Sequence, residues 1–238
     1  MGEGWGGGDS RKCAVARGPT NVKAAEVIAV VKVPRYAGVA AQSGDGDRPV
    51  PFFSFLSEDS GMRDIAQHDR DRFIYLYKFC EPVMRGPSPF SDAEREFIAA
   101  FVSGVNACQW CHGAHSVTAR ALGANDETLK LALDDIDAAQ IDERLKPVLR
   151  YVKKLTLTPS RITVADVREV SDAGWEEDAI HDAILICAVF NCYNRIVDRH
   201  GVKGREDLYD LHGTRIAEGG YGNMSAIERD SPAAASAK

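Results

Sequence analysis

Ser91 to Gly123 reads SDAEREFIAAFVSGVNACQWCHGAHSVTARALG, and the fold turns on how this stretch is read. Phe97, Ile98, Phe101, Val102 and Val105 recur at the spacings of one helix face. Ser91 followed by Glu94 forms a capping box at the start of that helix. Ser103, Gly104 and Asn106 then loosen the pattern, and Asn106 suits the N-cap of a second helix. On this reading Cys108 falls in the first turn, with Cys111 and His115 on the two turns that follow. Steps of three and four place all three side chains on one face. A thiol near a helix N-terminus meets unpaired N–H groups and the positive end of the dipole, which favours its thiolate.

The same helical spacing continues outward. Arg63 to Met84 carries Ile65, Phe73, Ile74, Leu76, Tyr77 and Phe79 and predicts one helix, broken by Arg85–Gly–Pro–Ser–Pro. Asn125 opens a short helix after Gly123, and Asp142 to Leu155 gives another, stopped at Thr158–Pro159. Thr163 with Asp166 begins the next, which Gly174 ends. Glu176 to Val197 is the most apolar helix, and its surplus of isoleucines suggests burial between subunits. Phe52, Phe53, Phe55 and Leu56 read as an anchor returning to the core. The run Val27–Val31 fits a strand or a short helix, and the Gly/Asp/Pro-rich segment before Phe52 reads as a loop. Helix after helix points to an all-α bundle. Residues 1–20 read as a disordered extension, 21–212 as a single domain with its motif core at 91–123, and 213–238 as a flexible tail.

The chain has 238 residues, enough for one good-sized core. Its 45% apolar and 27% charged content places it among globular proteins, and a net charge of −6 without a Lys/Arg-rich run excludes a general nucleic-acid binder. No apolar segment reads as long enough to span a bilayer, so no membrane partner is expected. The first residues lack the apolar stretch of a secretory signal, which makes the cytoplasm the expected location. There the six cysteines are expected to be reduced, and a CxxC implies redox chemistry or a metal.

Four readings meet at Cys108, Cys111, His112 and His115. A purely structural role asks CxxC and an aligned histidine to coincide. Zinc draws its ligands from separated segments more often than from one helix. Cys108–Gln–Trp–Cys111–His112 spells the c-type haem attachment pattern, but leaves Glu96 and His115 unused. The fourth reading is a redox dithiol.

Glu96, eleven residues, Cys108–x–x–Cys111, three residues and His115 together resemble the signature of the alkylhydroperoxidase D-like family. That family lies within the carboxymuconolactone decarboxylase superfamily. The later stretches LTLTPSRITVADVREVSDAGW and AILICAVFNCYNRIV resemble its peroxidase-related branch, so the similarity covers roughly residues 52–202. It implies an alkylhydroperoxidase D-like helical bundle that forms a homo-oligomer and acts as an antioxidant peroxidase on hydrogen peroxide or organic hydroperoxides. Cys111 would become the sulfenic acid and Cys108 would resolve it as a disulfide. His115, oriented by Glu96, would polarise the thiols. An external dithiol or redox adaptor protein would return the electrons, with no flavin, haem or metal cofactor. A non-enzymatic redox sensor and a decarboxylase-like relative are the alternatives. Some members carry histidine immediately before the second cysteine, where this chain has Trp110. Glu94 competes with Glu96 for its role, and Asn194–Arg195 suggests helix packing or an oligomer contact. Cys187 and Cys192 point to different faces of their helix, and Cys13 and Cys80 read as bystanders.

Overall fold

A computed structural model describes residues 51–222, and nine α-helices run through them. The helices are α1 (Met62–His68), α2 (Arg70–Arg85), α3 (Asp92–Val105), α4 (Gln109–Ala121) and α5 (Asp126–Asp134). A second group comprises α6 (Leu145–Leu157), α7 (Val164–Asp172), α8 (Glu177–Arg199) and α9 (Glu206–Gly219), with a 3₁₀ turn at Pro159–Arg161. No strand occurs among the described residues. The all-α expectation is therefore met. The readings made for residues 1–50 and 223–238, Cys13 among them, lie outside the described residues.

Local signals place most of the helix ends. Ser91 and Glu94 form the expected capping box of α3, and Thr163 with Asp166 does the same for α7. Asn125 caps α5 through the Glu127 amide. Gly123 and Gly174 take positive φ at 106° and 89°, the left-handed conformation that lets a helix end there. The expected helix over 63–84 is instead two, because Asp69 leaves helical geometry (φ −137°, ψ 63°) at the junction of α1 and α2.

α3 is the central helix. Every residue from Arg95 to Gly104 is buried, not one face only, because α4, α6 and α8 surround it. Its charged members find partners inside: Arg95 donates to the Val83 and Gly86 carbonyls and pairs with Asp92. α8 supplies the other half of the core through Ile186, Phe190 and Val197. By length and composition alone α8 could cross a membrane, with mean hydropathy 1.2, contrary to the sequence reading. Half of that apolar window is buried inside the protein: Ile180 and Ile186 lie in the core, and Ile184 and Ile196 pack against it partly buried. Of the expected aromatic anchor only Leu56 is buried; Phe52, Phe53 and Phe55 are exposed, and the rings of Phe53 and Phe55 lie against each other and His200.

Two further departures concern chain ends. The expected tail beyond His212 starts too early: α9 continues to Gly219, and Tyr221 after it is buried. α9 lies flush on α4 because Gly213 faces Ala114 and Val117, where a Cβ would come within 2.6 Å of both. The second departure is the α3–α4 elbow. Asn106 caps the C-terminus of α3, and Cys108 is the N-cap of α4. Between them Ala107 adopts φ 59°, a left-handed conformation that a non-glycine residue holds only under outside constraint.

That constraint is a polar network to α8. Asn106 Nδ2 donates to Asn194 Oδ1 (2.8 Å) and Asn191 Oδ1 (3.1 Å), and Asn194 Nδ2 donates to Ser103 Oγ (3.0 Å). Asn194 is the packing residue the sequence suggested, whereas its neighbour Arg195 is exposed and bonds Asn191. Asn194→Leu is expected to lower unfolding stability by about 2–3 kcal/mol in denaturant titration, since it strands the Ser103 and Asn106 groups. An unchanged midpoint would show that the elbow holds without them.

Candidate active site

The site is built on the i, i+4 relation of Cys111 and His115 in α4, with Glu96 of α3 behind. Glu96 is fully buried, and its carboxylate is the hub. Its Oε2 lies 2.7 Å from His115 Nδ1, and its Oε1 accepts from Arg85 Nη2 at 2.6 Å. Tyr221 donates its hydroxyl to the same carboxylate, 3.0 Å from Oε1 and 3.2 Å from Oε2, and lies 3.2 Å from His115 Nδ1. Burial alone would favour the neutral acid, but His115 and Arg85 outweigh it and hold Glu96 below the ordinary carboxylate range. An ionised carboxylate only accepts, so the Nδ1 proton of His115 points at Glu96 and Nε2 faces away from it. Phe190 meets the ring edge-on at 4.5 Å and fixes its plane.

Cys111 and His115 line one cavity together with Trp110, Tyr77, Tyr193 and Tyr221. Cys108 is fully buried and is not part of that lining. Its thiol is pushed far above its ordinary value, first by its hydrogen bond to Cys111 and then by burial. The thiolate expected at Cys108 from its place at a helix start is therefore not favoured; burial and a thiol partner overcome the helix terminus. Cys108 keeps its proton and presents it to Cys111. Both cysteines are free thiols in this structure.

The competing candidates separate cleanly. Glu94 spends its carboxylate on Ser91 in the capping box and stays outside the cluster. His112 accompanies a different depression, with Nδ1 donating to the Ala100 carbonyl at 2.9 Å. Trp110 is buried over Gly61, where a Cβ would come 2.4 Å from its ring. Cys187 is buried and Cys192 exposed, as expected from their faces. Cys80 is buried close to the site, its thiol pushed up first by burial, while a hydrogen bond to Tyr193 pulls it the other way. Tyr221 is the residue that sequence reasoning missed. Its own amide and that of Gly222 donate to Glu81 of α2 (2.6 and 2.5 Å), and Arg85 lies over its ring at 5.3 Å. The available signal was the helical spacing Leu208, His212, Ile216 leading into it.

The all-α bundle thus sets two thiols beside a buried Glu–His pair. Residues 73–154, which contain all four of these side chains, match the carboxymuconolactone decarboxylase family. The chain is similar to the solved structure of an uncharacterized peroxidase-related protein from Silicibacter sp. TM1040: 23% identity, 61% of this chain and 76% of that one, TM-score 0.57. It is similar too to an uncharacterized peroxidase-related protein from Ralstonia eutropha described as an alkylhydroperoxidase AhpD core. There the identity is 21%, over 63% of this chain and 78% of the other, with TM-score 0.58. At such identities the likeness speaks for the fold. The curated proteins contain no match.

Two measurements test this hub. A carboxylate held below its unfolded value stabilises the fold above that value and loses the contribution as pH falls through the folded one. The stability advantage of the native chain over Glu96→Gln should thus be full near neutrality and shrink once pH drops below about 4.3. A difference that stays constant down to pH 3 on the denaturant midpoint would contradict the ionised hub. Tyr221→Phe removes one donor from the buried carboxylate and should cost about 1–3 kcal/mol in the same assay; no loss would place the hydroxyl outside the cluster.

Proposed function

We propose that this protein is a thiol-dependent peroxidase that reduces hydrogen peroxide or an organic hydroperoxide. The observation that carries the reading is the unequal environment of the two thiols. Cys111 borders the cavity with the His115 imidazole one turn away, while Cys108 is buried behind it, its thiol pushed far up by its hydrogen bond to Cys111 and by burial. The sulfur of Cys111 attacks the distal peroxide oxygen; the S–O bond forms as the O–O bond breaks. The departing alkoxide or hydroxide takes a proton and leaves as alcohol or water. His115, oriented by Glu96, is the base that takes and returns protons through Nε2. Cys108 then attacks the Cys111 sulfenic acid, expelling water and forming the Cys108–Cys111 disulfide. An external dithiol restores both thiols by exchange, so two electrons pass from that donor to the peroxide. Decarboxylation would have no use for a dithiol, and a single-use redox sensor would form the disulfide without turning over.

Trapping with a dimedone-type reagent and mass spectrometry tests the roles. After peroxide, Cys108→Ser should carry the adduct on Cys111, because nothing remains to resolve the sulfenic acid, and Cys111→Ser should carry none. His115→Ala should lower peroxide consumption about a hundredfold or more, the usual size of a general acid–base contribution. An adduct on Cys108 instead would reverse the assignment. Labelling of neither variant, together with no peroxide consumption by the native chain, would end the peroxidase reading.

A further inference from the structure

The cavity beside Cys111 has a second character that peroxide reduction alone does not use. Met62, Trp110, Ala114 and Ile216 give it apolar walls, while Arg63 and Arg215 stand in the same lining. Among the described residues no carboxylate lines it. Arg85, one turn of chemistry away, shows the contrast: its guanidinium is matched by Glu96. Among the described residues Arg63 and Arg215 take part in no ion pair, and Arg63 Nε is shielded from solvent without an acceptor. A guanidinium nitrogen shielded from water without an acceptor is costly, and an anion that reaches it recovers that cost. The neighbouring Asp64 accepts the Gly61 amide through Oδ2 at 2.8 Å and forms no ion pair with Arg63. His212, also in the lining, is held below the ordinary histidine value first by burial and then by Arg215, with Asp64 opposing and Arg63 adding to the effect, so two cations act on this wall. Both cations stand in a chain whose net charge is −6.

We propose that the cavity takes an organic hydroperoxide bearing a carboxylate, its apolar body on Met62, Trp110 and Ile216 and its carboxylate on Arg63 and Arg215. This deepens the peroxidase reading and rests on it. Guanidinium–carboxylate pairing fixes one end of the substrate and leaves the peroxide end for Cys111. The half-buried position of Arg63 in an apolar lining suits a small molecule that enters the cavity and not an acidic protein surface. The chemistry balances as before: the O–O bond breaks, one oxygen passes to the Cys111 sulfur, and the substrate leaves as a hydroxy acid. Cys108 expels the transferred oxygen as water, and an external dithiol supplies the two electrons.

The test separates binding from turnover. A medium-chain hydroxy acid, the product of such a reduction, and its methyl ester are titrated into the full chain by calorimetry. The acid should bind about tenfold tighter or more, one charge-assisted pair being worth at least that. Arg63→Gln with Arg215→Gln should bring the ratio of the two affinities towards one. Arg215→Gln alone, at an exposed position, should reduce the ratio in part and keeps the test readable if the double variant unfolds. Equal binding of acid and ester by the native chain, or a preference that survives both replacements, overturns the inference. Hydrogen peroxide consumption is measured alongside. Turnover without an acid preference would overturn this proposal and leave the peroxidase standing; an acid preference without turnover of any peroxide would overturn the peroxidase and reduce the cavity to an anion site.

Discussion

A fully buried carboxylate is the most expensive group in this fold, and the arrangement of the helices answers to it. An isolated charge in such a place would cost many kcal/mol and would give up its charge. Glu96 keeps its charge because Arg85, His115 and Tyr221 converge on it, from the end of α2, from α4 and from the segment after α9. None of the three is a neighbour in sequence. The carboxylate is therefore satisfied only when all those elements are in place, which couples the orientation of one imidazole to the assembly of the bundle. A second carboxylate extends the arrangement. Glu81, one turn before Arg85, accepts the Tyr221 and Gly222 amides and so holds down the strap that carries the tyrosine.

What was legible in the sequence follows the range of the forces involved. Capping boxes at Ser91 and Thr163, the Asn125 cap and the left-handed glycines 123 and 174 act within a few residues, and all were readable. The i, i+4 pair Cys111–His115 was readable for the same reason, since helix geometry alone puts both side chains on one face. Tyr221 was not, because its hydroxyl bonds a residue 125 positions away and its Gly-rich surroundings read as a tail. The break at Asp69 was hidden by an apolar pattern that runs through both α1 and α2.

The elbow before Cys108 shows how a long-range contact can overrule a good local signal. Asn106 has a residue type that suits an N-cap, yet its side chain is drawn to Asn191 and Asn194 of α8. With that side chain engaged, Ala107 is bent into the left-handed region and the helix start moves on to Cys108. Ser103 and Asn194 close the network from the other side, and the Ser103 hydroxyl donates a hydrogen bond to the Ala99 carbonyl. A strained alanine is affordable here because a buried set of amides and a hydroxyl fixes both of its flanks.

The displacement of that helix start by two residues has a chemical consequence. As a first-turn residue, Cys108 would share the exposed N–H groups and the dipole with Cys111, and the two thiols would be near equivalents. At the N-cap it turns inward, becomes fully buried and hydrogen-bonds Cys111, which leaves it holding its proton. Cys111, three residues into the turn, keeps a place on the cavity wall beside His115. The two thiols thus differ through backbone position alone, with no difference in residue type. In the proposed reaction that difference separates the attacking sulfur from the resolving one. The asparagine network that bends Ala107 therefore acts on the dithiol through the backbone.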